Sequence, residues 1–463
     1  MAFQTVNPYT NEVIKTFESA TREEIVSAIG VADQAFQNWK KLPVSERVVY
    51  LQKAADLLRK NADEYAKVIT LEMGKIFAEA KGEVELSAQI LEYYVRHAEE
   101  QLQPRKLPVM DPAEGDAELV YEPLGVLLAI EPWNFPFYQV ARILAPQLSA
   151  GNTLILKHAS NIPQCALAFE QLMKDAGLPE GVFQNLFIEH DDVELVLADP
   201  RVCGVALTGS EFAGSAVAQV AGKHLKKAIM ELGGADAFVV LDDADIDKTV
   251  AWGVFGRHWN AGQVCVSSKR MILDAKIYDE YLEKYTAGVA ALKAGDPMDP
   301  ETQLAPLSSQ RAKDGLLKQI EEAVKHGAIA TEVGPKVPEQ GCFVQPTILT
   351  NVTPDNPAYY QEFFGPVSMI IKAEDEADAI RIANDSPFGL GGSVFTSDNE
   401  RGRRVANQIS TGMVFVNHPT MVKADLPFGG IRRSGYGREL IDLGLKEFVN
   451  IKLVDVVDID APF

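Results

Sequence analysis

Val205-Ala206-Leu207-Thr208-Gly209-Ser210-Glu211-Phe212-Ala213-Gly214-Ser215 reads as a strand running into a glycine turn and then a helix. Backbone amides at a helix N-terminus attract phosphate, and glycine lets such a ligand come close. The spacing is Gly-x-x-x-x-Gly, and no Lys-Ser/Thr pair follows Gly214. Neither the usual dinucleotide fingerprint nor the Walker motif is therefore present. Taken alone, the stretch fits an ordinary strand-to-helix turn equally well, so its surroundings must decide.

Upstream, extended segments at 118–122, 126–130, 153–156 and 182–187 alternate with a helical pattern over 164–176. Downstream, a helix over 216–224 is followed by a second alternating series, from Ala237 to about Val416. Strands alternating with helices predict parallel sheets with crossover helices, here two adjacent α/β units. The first hundred residues read as covering helices. Thr21 and Glu24 form a capping-box pattern, and Ile25, Ile29, Ala32 and Phe36 recur at helical spacing. The tail 448–460 alternates apolar and charged residues, which predicts a strand in need of a partner, one that another subunit could supply.

The chain has 463 residues, 47% of them hydrophobic, with 44 Lys plus Arg against 65 Asp plus Glu and a formal net charge of −21. That acidity argues against nucleic-acid or anionic-membrane partners, which need a positive surface. The apolar run Leu124 to Ile130 is far short of the roughly 20 residues that span a bilayer. Four cysteines, Cys165, Cys203, Cys265 and Cys342, are too few for a disulfide framework, and no pair has metal-ligand spacing. A reduced, cytoplasmic protein without a metal is expected.

Three further segments carry possible chemistry. Cys265 sits in the glycine-containing run Asn260-Ala261-Gly262-Gln263-Val264-Cys265, where an irregular backbone can present a nucleophile; a buried apolar cysteine is the alternative. Glu231-Leu232-Gly233-Gly234 lies at the junction of the two α/β series, where a carboxylate could act as a base, or be a solvated turn residue. In Glu131-Pro132-Trp133-Asn134-Phe135-Pro136 two prolines restrict the backbone, so Asn134 could aim an amide N–H at an oxyanion, or the segment could be a rigid buried turn. The glycine groups at 389–392 and 429–437 look like decoys, the first leading into a strand and the second having none before it.

In order, PWNFP, Lys157-His158-Ala159-Ser160, the Gly209–Gly214 turn, ELGG, GQVC, Glu362-Phe363-Phe364-Gly365-Pro366 and Pro427-Phe428-Gly429-Gly430 resemble the aldehyde dehydrogenase superfamily over essentially the whole chain. The compact length, KHAS and AGQVCVSSKR are most similar to the bacterial short-form, NAD(P)-using succinate-semialdehyde dehydrogenases. This resemblance implies an α/β fold in three parts. A Rossmann-type coenzyme domain would cover 1–104 and 124–232, and a catalytic domain 233–432. A small β oligomerisation element with the C-terminal strand would take 105–123 and 433–463, in a homodimer or homotetramer.

The resemblance also implies roles. Cys265 attacks the aldehyde, Asn134 and the Cys265 N–H hold the oxyanion, and Glu231 activates water against the thioester. Lys157 and Glu362 hold the cofactor riboses, Gly209, Ser210 and Gly214 form the pyrophosphate turn, and Trp133, Leu232 and Phe364 lie beside the cofactor. Ser160 stands where NAD-preferring members often carry glutamate, so NADP is expected over NAD. Arg142 matches an arginine that suits the substrate's far carboxylate. Trp259 stands where some members have a second such arginine, and Lys423 lies in a loop lacking the serine that others use. Ser267 replaces a cysteine that some members pair with the nucleophile. Succinate semialdehyde is the expected small-molecule substrate. Another small aliphatic or aromatic aldehyde, CoA acylation, or a catalytically silent binding protein of this fold are the rivals.

Overall fold

The computed structural model describes residues 3–111 and 115–461; positions 112–114 of the predicted oligomerisation element, and the last two residues of the tail, lie outside them. One sheet of six strands has the order Gly435–Tyr436, Lys227–Glu231, Val202–Thr208, Val126–Glu131, Thr153–His158, Phe183–Asn185. All its pairings are parallel except that of Gly435–Tyr436. Its strands are short, β-branched and leucine-rich, and buried on both faces, as a helix-covered parallel sheet requires.

From the strand Val126–Glu131 the chain steps outward through Thr153–His158 to Phe183–Asn185. It then returns to the other side of Val126–Glu131 for Val202–Thr208 and Lys227–Glu231. The strand order reverses between Val126–Glu131 and Val202–Thr208, so the loops leaving their carboxyl ends diverge and open a crevice there. Those loops begin with Pro132-Trp133-Asn134 and with Gly209-Ser210, and Glu231 ends the next strand.

A second, seven-stranded sheet has the order Ile329–Glu332, Thr347–Thr350, Val367–Ala373, Arg270–Asp274, Ala237–Val240, Gly392–Phe395, Phe415–Val416. It is parallel apart from the pairing of Ile329–Glu332 with Thr347–Thr350. Cys265 and Glu362 lie in the loops that enter two of its strands, Arg270–Asp274 and Val367–Ala373.

The N-terminal helix Arg22–Trp39 starts on the full Thr21/Glu24 capping box and buries Ile25, Ile29, Ala32 and Phe36. Before it stands a hairpin, Phe3–Val6 with Val13–Phe17, which the helical reading of this region missed. The covering helices also prove to carry structure for the site. At the start of helix Phe77–Gln101, Glu83 accepts the backbone N–H of Phe137 at 2.8 Å and of Tyr138 at 3.2 Å. It pairs with the buried Lys75, whose ammonium sits 3.6 Å from the Phe135 ring centre.

The tail strand Val449–Val456 finds its partner within the chain, pairing antiparallel along the whole of Asp116–Pro123. Arg105–Lys106 completes a three-stranded sheet. Not all of 433–463 belongs to that sheet, however. Gly435–Tyr436 adds to the edge of the six-stranded sheet beside Met230 and Glu231, because Gly435 at φ 109° lets the two backbones close up on each other. No described helix is long and apolar enough to cross a membrane.

Candidate active site

A cavity of about 280 Å³ opens at the crevice, and it brings Asn134, Glu231 and Cys265 together. Trp133, Gly209, Ser210, Leu232, Glu362 and Phe364 also line it. Lys157 and Ser160 line a neighbouring depression of about 200 Å³.

The loop that carries Cys265 is built on unusual backbone. Asn260 and Ala261 both stand in the left-handed region, at φ 51° and 53°, followed by Gly262 at 75°. A non-glycine residue there costs about 1–2 kcal/mol, so surrounding bonds must hold the turn. Glu79 accepts the Asn260 N–H at 3.2 Å, and the Asn260 amide donates to the Asn134 carbonyl at 3.1 Å. Arg257 donates to Ser267 Oγ at 2.7 Å and to the Phe363 carbonyl at 2.7 Å, tying the nucleophile loop to the Glu362–Gly365 loop. Ser267 is thus an anchor, and all four cysteines are unpaired.

Desolvation at the cavity pushes the Cys265 thiol up to about 12, against the pull of Lys269 and Arg142. Lys269, overlooked in the sequence, donates to the Val264 and Cys265 carbonyls at 2.8 and 2.6 Å and pairs with Glu362 at 2.8 Å. Glu362 also accepts the Gly234 N–H at 3.0 Å. Its carboxylate is therefore aimed before any ligand arrives.

Glu231 is 2% exposed. Burial, reinforced by the nearby Glu439 charge, holds its carboxyl well above the usual carboxylate range. Gly429, set aside above as a decoy, runs close to it: a Cβ there would lie 2.6 Å from Glu231 Oε1. Glycine at this point keeps room for the Glu231 carboxyl. Glu131, also missed, follows Ile130, which pairs with Leu207, while Thr208 pairs with Glu231. Glu131, Thr208 and Glu231 therefore share one row of the sheet. Burial raises the Glu131 carboxyl too.

Asn134 donates through Nδ2 to the Gln263 carbonyl at 3.0 Å. Gln139, a cavity residue that sequence reasoning passed over, donates to Asn134 Oδ1 at 3.1 Å. The signal for it was one amide in the apolar run Phe135-Pro136-Phe137-Tyr138-Gln139-Val140-Ala141.

Arg142, Trp259 and Gly214 are not among the residues lining the cavity. Arg142 is buried, with its guanidinium paired to Glu439 and hydrogen-bonded to Tyr138 Oη at 2.6 Å and Thr208 Oγ1 at 3.0 Å. The carboxylate-rich interior has claimed the fork, which sits behind the cavity wall formed by Thr208. Trp259 packs on Phe135 and Phe255 at ring separations of 5.2 and 6.1 Å, forming an aromatic wall. Gly214 is buried in helix Glu211–Lys223, where a Cβ would overlap Leu232, so it serves packing between helix and strand.

The remaining positions fit a phosphate-bearing dinucleotide. Ser210 caps that helix, its Oγ accepting the Ala213 N–H at 3.2 Å. A Cβ on Gly209 would meet only Leu207 Cδ2, at 3.6 Å, so the space over the helix N-terminus stays open. Burial lowers the Lys157 ammonium to about 8, and no carboxylate among the described residues lies within ion-pairing reach of it. A buried cation left unpaired in this way suits an anionic or hydroxyl-rich ligand. Trp133 and Phe364 meet edge to face at 5.7 Å beside Cys265, forming a flat-walled slot.

Fold and site together define a dinucleotide-dependent enzyme with a cysteine nucleophile, and the chain belongs to the aldehyde dehydrogenase family, which matches residues 1–454. It is 50% identical to the succinate-semialdehyde dehydrogenase [NADP(+)] of Deinococcus radiodurans, over 98% of this chain and 94% of that protein. It is 42% identical to the succinate-semialdehyde dehydrogenase [NADP(+)] 1 of Mycobacterium tuberculosis, over 98% and 99%. Among solved structures, the succinic semialdehyde dehydrogenase of Streptococcus pyogenes in complex with NADP+ superposes with a TM-score of 0.96 at 48% identity, covering 99% of this chain and all of that one.

Proposed function

We propose that the chain oxidises succinate semialdehyde to succinate, with NADP preferred over NAD. The observation that carries the chemistry is the convergence of Cys265, Glu231 and Asn134 on one cavity beside the dinucleotide slot. Kinship supports the substrate class; Arg142, held by Glu439, adds nothing to it. NADPH formation across a panel of carboxylated, aliphatic and aromatic aldehydes tests the choice. Equal efficiency with aldehydes lacking a distal carboxylate would remove the substrate from the proposal.

In the mechanism, Cys265 Sγ bonds to the aldehyde carbon as its proton leaves to solvent. The oxygen gains negative charge and meets the Asn134 Nδ2–H, a donor typically worth about 3–4 kcal/mol in such a position. When bound, the nicotinamide ring supplies the acceptor for the hydride that leaves this carbon. Lys157 and Glu362 hold the riboses, and Gly209 and Ser210 face the pyrophosphate. The resulting thioester on Cys265 is cleaved by water, whose proton Glu231 takes and then passes to the departing thiolate, restoring the free thiol. A water-activating carboxylate at the cavity favours hydrolysis over transfer to CoA.

Cofactor choice falls to Ser160, a neutral side chain in a depression also lined by Lys157, Glu189 and Asp191, where a further glutamate would repel a 2′-phosphate. Ser160→Glu is expected to lower the ratio of kcat/KM for NADP over NAD at least about 100-fold, since like charges about 4 Å apart in a partly screened site cost several kcal/mol. An unchanged ratio would move discrimination away from this residue.

Arg142→Ala is expected to cost about 3–5 kcal/mol of stability by stripping the buried Glu439 of its counter-ion. Thermal unfolding measures it, and a near-normal melting temperature would show that Glu439 is held neutral without Arg142.

We also propose a cytoplasmic homodimer or homotetramer. The unpaired cysteines suit a reducing compartment, and the exposed Ile451, Leu453 and Val456 along Val449–Val456 suit burial against a second copy.

A further inference from the structure

An oxyanion donor works only if the amide presents nitrogen, not oxygen, to the reacting atom. A half-turn of the Asn134 amide exchanges the two, so something must fix it. The Gln263 backbone carbonyl is an acceptor only, which makes the Asn134 atom 3.0 Å from it Nδ2. Oδ1 therefore faces the other way and needs a donor, and that donor is Gln139 Nε2 at 3.1 Å. Among the described residues, Oδ1 accepts from no other side chain. Of the two Nδ2 hydrogens, one is spent on Gln263 and the second has no acceptor among the described residues. Gln139 is 1% exposed and sits one residue into helix Tyr138–Ala150, whose first turn is pinned by Glu83. Its own Oε1 is buried without a partner at the cavity wall.

We propose that Gln139 is a positioning residue for the oxidation: by donating to Asn134 Oδ1 it locks the amide with an N–H facing the oxyanion. This rests on the reading of Asn134 as the oxyanion donor. The logic inverts if position 139 can only accept. An ionised carboxylate there draws Asn134 Nδ2 towards itself and swings Oδ1 towards both the Gln263 carbonyl and the oxyanion. A protonated carboxyl donates instead and restores the working orientation.

Gln139→Glu is therefore expected to lower kcat/KM about 100-fold at high pH, the loss expected when one oxyanion donor is removed. The deficit shrinks about tenfold per pH unit below the introduced carboxyl's titration point, which burial raises. Taking the ratio of variant to parent at each pH cancels effects common to both, from Cys265 and Glu231 at the cavity, Tyr138 and Arg142 on the same helix, Glu439, and the nearby charges of Glu83 and Lys269. Gln139→Met removes the donor without adding an acceptor and leaves Gln263 in place, so a loss of about tenfold with no new pH dependence is expected.

NADP binding, followed by Trp quenching, is unchanged in both variants if they are folded. A ratio flat with pH for Gln139→Glu, or equal losses in the two variants, overturns the inference. Asn134→Ala separates the two layers. A loss of about 10²–10³ in kcat alongside a flat Gln139→Glu ratio sinks the positioning role alone, whereas near-normal activity in Asn134→Ala sinks the oxyanion reading beneath it.

Discussion

Glu231→Gln is expected to form one equivalent of NADPH per active site and then stall. The amide cannot accept a proton from water, so the thioester on Cys265 outlives the hydride step. A general base typically contributes about 10²–10⁴-fold, and the other carboxylate lining the cavity, Glu362, is occupied by Lys269 and the Gly234 N–H. The other carboxyl in reach of this row, Glu131, lies beyond Thr208 and is itself driven towards its protonated form by burial. A steady-state loss of about 10³ is therefore expected, with a stoichiometric burst in rapid mixing and a protein mass raised by one acyl group.

The pH dependence follows the same group. Because burial and Glu439 raise the Glu231 carboxyl, the working carboxylate is lost as pH falls through that raised value. The parent enzyme should lose kcat on its acid side well above the pH at which an exposed glutamate titrates. In Glu231→Gln that limb disappears. Steady-state turnover within tenfold of the parent would assign the water proton to another group.

The three cavity residues proposed as catalytic were legible because each sits in a short segment with its own local reason: a proline-braced amide, a carboxylate before two glycines, a cysteine in broken helix. The parallel sheets were legible for the same reason, since strand and helix alternate at short range. The supports of the site were not. Glu79 reaches Asn260, Glu83 reaches Phe137, and Gly429 makes room for Glu231. Each pair joins residues far apart in sequence, and nothing local to either member announces the other.

Arg142 is the instructive case. Its residue type suits a substrate carboxylate, but three buried glutamates, Glu131, Glu231 and Glu439, crowd around it. A lone cation in such a setting goes to the nearest carboxylate. Pattern reading identifies the chemical type of a side chain, while the charge balance of the interior decides where it points. Helix Glu211–Lys223 likewise starts five residues before its apolar pattern does, because Ser210 caps it at the glycine turn.

Cys265→Ala should abolish oxidation outright, by on the order of 10⁵-fold or more, the scale seen when a covalent nucleophile is deleted. No other thiol can take over. Cys165 and Cys342 are buried, and all three other cysteines have thiols raised by burial. NADP binding should survive the change, because the residues facing the riboses and pyrophosphate are untouched. The resting thiol is the sharper test. Held at about 12, it carries only about 10⁻⁵ of its population as thiolate at pH 7, and thiolate is the reactive form. Alkylation of Cys265 by iodoacetamide in the cofactor-free enzyme should therefore be slow at neutral pH. It should rise about tenfold per pH unit up to pH 10, with inactivation tracking a single added label. Lys269→Met should slow it further, since the Lys269 charge favours the thiolate. A plateau below pH 9 would mean that Cys265 rests as a thiolate, and the argument that burial keeps it protonated would fall with that result.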